Sequence, residues 1–172
     1  MVCSATFSPC RKYRYSLTRT WDDGLGKVCF LGCNPSTADE TINDPTVTRC
    51  INFAKDWGFG TMEMLNIFAL RSTDPKELYK SAEPVSPPYK LQDGLFTFTD
   101  YNDLAILKSC SDSDLIVCCW GNHGKYLHRG ELVTAMLKYR TIMCLGITKQ
   151  GYPKHPLYLR ADTKPIVYKM ES

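Results

Sequence analysis

Four apolar runs constrain this chain most: "KVCFLG" at 27–32, "TMEMLNIFAL" at 61–70, "SDLIVCCW" at 113–120 and "TIMCLG" at 141–146. A strand with one wet face alternates apolar and polar residues, whereas these runs are nearly continuous, as strands covered on both faces are. Helical patterns separate them. Asn43-Asp44-Pro45 reads as a helix start, with Asp44 capping and Pro45 in the first turn, and that helix should run to Trp57 and stop near Gly58. Further helices are expected over 92–108 and 125–139, with a polar, proline-rich surface loop, "SAEPVSPPYK", before the first of them. Residues 13–21 alternate and lead through Asp22-Asp23-Gly24 into "KVCFLG", which predicts an N-terminal β-hairpin. The expected fold is therefore α/β, a single domain over 1–172, with a mainly parallel four-stranded central sheet flanked by helices.

A chain of 172 residues suits one domain with a sizeable core. No apolar run approaches the length of a membrane span, and the first twenty residues lack the apolar centre of a signal peptide. A cytoplasmic protein without a membrane partner is expected. Nine cysteines are an odd number, and Cys29, Cys33, Cys118, Cys119 and Cys144 sit in or beside the apolar runs, where a free thiol packs as a small hydrophobe. Metal chelation is the competing use of so many thiols. No C-x-x-C occurs, and the adjacent Cys118 and Cys119 point to opposite faces of a strand, so no metal is expected. No phosphate-binding G-x-x-x-x-G-K-[ST] loop and no G-x-S-x-G elbow is present, and no cofactor is expected.

Ligands of open α/β sheets bind outside the carboxyl ends of the strands. Here each core run ends in polar or special residues: Gly32-Cys33-Asn34-Pro35, then Leu65-Asn66, then Trp120-Gly121-Asn122-His123, then Gly146 leading to Lys154-His155-Pro156. Each is readable as a turn former, yet all four would gather at one edge. The net charge of +3 is mild, with basic residues crowded at both ends of the chain, either as one cationic surface or as solvated faces.

The segments "YRYSLTRTW", "LGCNPSTADETINDPT", "LNIFALRSTDP", "WGNHG" and "CLGITKQGYPKHPLYL" span nearly the whole chain, and they resemble the family called domain of unknown function 1643. The same landmarks in the same order resemble, more distantly, the uracil-DNA glycosylase superfamily. There a strand ends in Gly-x-Asp/Asn-Pro, as Gly32 to Pro35 do; a later strand carries a base-reading asparagine, matched by Asn66; another ends in Trp-Gly, and a late loop begins with His-Pro, matched by His155.

The resemblance implies a glycosylase-like fold and a nucleobase, nucleotide or DNA as partner, with hydrolysis of an N-glycosidic bond as the leading chemistry. Such cleavage needs a placed water and a donor to the departing base anion. Asn34 would hold the water and His155 would donate to the base. Gly32, Pro35, Ser36, Asn66, Arg71, Trp120, Asn122 and His123 would line the ligand, and Arg14, Arg19, Lys154 and Arg160 would meet phosphates. Leu157, Tyr158 and Leu159 would either wedge into a duplex or pack as an ordinary strand. A non-catalytic binder of nucleotides or nucleotide-derived signals would reuse the same pocket.

Some positions depart from that pattern. Uracil-selective members carry a tyrosine where this chain has Ser36. No stacking aromatic is assigned by spacing, Phe68 and Trp21 being the candidates, and the stretch from Thr37 to Asp44 is acidic where DNA would prefer basic residues. Arg14, Arg19, Arg49 and Arg71 either clamp phosphates or form ion pairs with Asp39, Asp44 and Asp74.

Overall fold

A computed structural model describes residues 1–87 and 101–169. At its centre β3 (Lys27–Gly32), β4 (Thr61–Asn66), β5 (Leu115–Cys118) and β6 (Met143–Cys144) run parallel in the order β4-β3-β5-β6. Both faces of these strands are covered, which is why they do not alternate. On one face Cys29, Leu31, Leu65, Ile116 and Cys118 meet Ile106 and Cys110 of α2 (Tyr101–Ser111) and Val133 of α3 (Arg129–Met136). On the other, Val28, Phe30, Met62 and Val117 meet α1 (Pro45–Asp56).

The first helix follows directly from local chemistry. Asp44 accepts a hydrogen bond from the Val47 N–H at 2.8 Å, Pro45 supplies a preset φ, and Gly58 closes the end at φ 84°. Val47, Cys50, Ile51 and Ala54 lie at helical spacing and face the sheet.

The sheet itself is larger and more mixed than four parallel strands. Among the described residues it has seven strands, in the order β1 (Val2–Phe7), β2 (Arg14–Thr20), β4, β3, β5, β6 and β7 (Ile166–Val167), with antiparallel pairs at both edges. The expected hairpin between 13–21 and 27–32 does not form. Instead β1 and β2 form the N-terminal hairpin, and β2 pairs with β4 rather than β3. The reason is that β3 occupies both of its edges with the parallel partners β4 and β5, so β2 is displaced outward by one strand. The Trp21 and Asp22 amides bond to the Gly60 carbonyl. A Cβ on Gly60 would lie 1.8 Å from the Asp22 carbonyl oxygen, so only glycine permits this crossing.

The expected helix over 125–139 is also different. Residues Gly121–His128 form tight 3-10 turns broken by left-handed backbone at Leu127 (φ 52°) and His128 (φ 53°), and α3 begins only at Arg129. Gly124 packs so closely on the Trp120 indole that a Cβ there would stand 2.2 Å from its Cδ1. The expected helix over 92–108 is seen as α2 from Tyr101 onward, and its earlier part, like 88–90 of the expected loop, lies outside the described residues.

Cys29, Cys33, Cys50, Cys110, Cys118, Cys119 and Cys144 are buried, Cys3 and Cys10 exposed, and all are free thiols. Burial pushes the Cys33 thiol up to about 12, as expected of packing rather than reactive sulfur. Among the described residues no group of three or more His, Cys, Asp or Glu is placed to hold a metal ion, and no helix is long and apolar enough to cross a membrane.

Candidate functional site

The carboxyl ends of β3, β4 and β5 and the loop after β6 open into a cleft of about 650 Å³. Its floor is where Gly32 and Asn66 stand opposite each other in parallel register. A Cβ on Gly32 would lie 2.8 Å from Asn66 Nδ2 and 2.7 Å from Met64 Cε, so the missing side chain is what admits the amide.

Asn66 is almost fully buried and held from two sides. Arg14 Nη2 donates to its Oδ1 at 3.2 Å, and Asn102 Nδ2 donates to its backbone carbonyl at 2.9 Å. A guanidinium can only donate, so it fixes which end of the amide is oxygen. The Nδ2 group, which makes no hydrogen bond among the described residues, is then left for a ligand, and the side chain presents a donor rather than a donor–acceptor pair.

Arg14 is itself unusual. It is 2% exposed and lines the cleft; its Nη1 donates to the Ala38 carbonyl at 3.0 Å, and its buried Nε has no partner. Among the described residues no carboxylate lies within ion-pair distance of it. Loss of water lowers its pKa to about 10, with Asp44 pulling the other way and Arg71 and Arg19 adding to the depression. A buried cation without a counterion makes the cleft a favourable place for an anion.

Asn34, whose position at the end of a buried strand invites the question of its purpose, staples two strand exits together. Its Nδ2 donates to the Ser72 carbonyl at 2.9 Å and to the Pro35 carbonyl at 3.3 Å. Its Oδ1 makes no hydrogen bond among the described residues and remains an acceptor on the cleft wall.

His155 caps the 3-10 turn at Pro156–Tyr158, its Nδ1 accepting from the Leu157 N–H at 3.4 Å. The ring proton of the neutral form therefore sits on Nε2. Although His155 reaches solvent at the rim, desolvation on its cleft side lowers its pKa, against a weaker upward pull from Asp44. A neutral imidazole donating from Nε2 is the species present near pH 7.

Ser36, Trp120, Asn122, His123 and Lys154 also line the cleft. Thr148 donates to Asn122 Oδ1 at 2.7 Å, and His123 Nδ1 is hydrogen-bonded to the Tyr79 hydroxyl at 2.7 Å. Lys154 is carried on a loop whose backbone pairs with Gly146, a residue at φ 121°. The remaining named residues are elsewhere. Pro35 is buried behind Ser36, with its carbonyl bound by the Ser72 amide. Arg71 lies over the Phe7 ring and donates to the Arg11 carbonyl. Arg160 is exposed and paired with Asp162 at 2.9 Å.

Arg19 is fully buried and occupied by the loop at 39–43. It donates to Asn43 Oδ1 at 2.7 Å and to the Asp39 carbonyl at 2.6 Å, and it does not reach the cleft. Arg49 likewise gives its Nη2 to the Leu159 carbonyl. The four arginines thus find neutral acceptors, and none pairs with Asp39, Asp44 or Asp74. Phe68 is sealed against Tyr126 and Trp21 lies beneath Lys55, so neither faces the cleft.

Leu157, Tyr158 and Leu159 line the cleft as a 3-10 turn and its exit rather than as a strand, with Tyr158 90% exposed at the lip. Asp44, Ser72, Thr73 and Thr148 line it too, and sequence reasoning named none of them for the site. Asp44 was hidden by its capping role, which accounts for the residue locally. The loop residues carry no signal beyond polarity.

No curated protein and no solved structure matches the chain. A family model described as protein of unknown function (DUF1643) matches residues 14–157, and the chain belongs to that family.

Proposed function

We propose that this protein recognises a nucleobase or nucleotide and hydrolyses an N-glycosidic bond, in DNA or in a nucleotide. The observation that carries the reading is the meeting of Asn34, Asn66 and His155 in one cleft, with complementary roles left open at each: an acceptor at Asn34 Oδ1, a donor at Asn66 Nδ2, and a donor at His155 Nε2. An acceptor can orient a water, and a fixed amide donor suits a carbonyl or ring-nitrogen acceptor on a base edge. A neutral imidazole can stabilise the base as it departs with its electron pair. The uncompensated Arg14 favours negative charge in the cleft, whether on that departing base or on a phosphate, and Lys154 at the rim adds a second cation. The likeness of the strand-end motifs to the uracil-DNA glycosylase superfamily points the same way.

One observation favours the non-catalytic alternative. The amide of Asn34 cannot take a proton, so the three residues together bind a base and a water without supplying a base catalyst. Incubation with oligonucleotides carrying varied bases, and with a nucleotide panel, tests the choice by mass spectrometry of released base. Release identifies a hydrolase and its substrate. Calorimetric binding without release identifies a binder, and neither binding nor release removes the reading.

A further inference from the structure

Among the described residues that line the cleft, Asp44 alone carries a carboxylate. Its Oδ1 is committed to the Val47 amide at the start of α1, and its Oδ2 has no hydrogen-bond partner among the described residues. It is 8% exposed and unpaired, yet close enough to act electrostatically on both Arg14 and His155. A cap needs one oxygen and no charge; serine, threonine or asparagine would serve as well. Arg14, whose buried Nε also has no partner, lines the same cleft, so two opposite charges stand there without forming an ion pair.

We infer that Asp44 is the general base of the cleft: its Oδ2 takes the proton from the attacking water, while Asn34 Oδ1 only orients that water. The inference rests on the glycosidic cleavage proposed above and supplies the proton acceptor that the asparagines and the neutral histidine do not. In the step, the water oxygen bonds to the anomeric carbon. The bond from that carbon to the base nitrogen breaks, and its electron pair leaves with the base, stabilised by the His155 Nε2–H. The water's proton passes to Asp44 Oδ2 and is then given up through solvent to the departed base anion, which regenerates the carboxylate and leaves a free base and a sugar hemiacetal as products.

The test uses the full chain and whichever oligonucleotide or nucleotide in the panel releases base. Asp44→Asn keeps the cap and removes the base, so the single-turnover rate should fall by about 100-fold or more while the melting temperature and the affinity for a non-cleavable analogue stay near wild type. Should that variant misfold, Asp44→Ser caps equally well and carries the same comparison. Asp44→Ala in added formate should regain part of the lost rate, which a purely structural role would not allow. Cleavage by Asp44→Asn within about threefold of wild type overturns the assignment and leaves the proposed reaction standing. A wild-type protein that binds base without releasing it overturns both.

Discussion

Replacing Asn66 by aspartate tests the electrostatics of the cleft floor most directly, because it places a carboxylate against a buried cation that has none. Arg14 Nη2 stands 3.2 Å from Asn66 Oδ1. At an effective dielectric of about 20, opposite charges at that separation attract by about 5 kcal/mol. Withdrawing the carboxylate from water offsets several kcal/mol of this, leaving a gain of about 1 kcal/mol. Asn66→Asp should therefore be more stable than wild type near pH 7, by about 2–4 °C in melting temperature. The carboxylate's pKa would be depressed in the folded state, so the gain is present above the unfolded value of about 3.9 and fades as pH falls through the folded one.

The same change exchanges the donor facing the cleft for an acceptor. Ligands offering a carbonyl edge should lose about 1–3 kcal/mol, and those offering an amino edge should gain. Thermal melts at pH 7 and pH 3, with calorimetric titration of keto and amino bases, read both effects. Destabilisation by several kcal/mol at pH 7 would refute an available charge on Arg14, and an unchanged ligand preference would refute a ligand-facing Nδ2.

Ser36 lines the cleft where a tyrosine would restrict it, so Ser36→Tyr should exclude large or 5-substituted bases at a cost of about 1–3 kcal/mol and spare the smallest, as titration of uracil-, thymine- and purine-containing ligands would show. His155 should confer acid sensitivity: with its folded pKa below the unfolded one, the unfolded chain takes up the proton first as pH falls below about 6.5, and stability drops until the folded pKa is passed. Melts between pH 7 and pH 5 should show that drop in wild type and a smaller one in His155→Ala; equal slopes would count against desolvation of the imidazole on its cleft side. If DNA is the substrate, duplex affinity should fall steeply with salt, and Lys154→Ala should lessen the slope by about 0.9, whereas Arg160→Ala, already paired to Asp162, should change it less. Salt-insensitive binding points to a free nucleotide instead.

What the amino-acid order determined by itself is local or periodic. Asp44, Pro45 and Gly58 mark the limits of α1 because capping, a preset φ and a left-handed turn each involve residues only a few positions apart. The apolar runs mark strands covered on two faces, and the polar residues at their ends mark the edge where the cleft opens, since parallel strands bring their ends together. Only the tertiary structure decided which partners those residues meet. Arg14 and Arg19 lie five positions apart on one strand, yet one faces the cleft and orients Asn66 while the other secures the 39–43 loop. Their spacing on the strand does not say what either will meet, because the pairing of β2 with β4 sets their surroundings, and that pairing follows from β3 having no free edge. Asp44 reads as a cap from its neighbours and becomes a cleft carboxylate only where α1 meets the loop bearing His155. A side chain's second contact is set by packing between distant segments, and no window of sequence contains it.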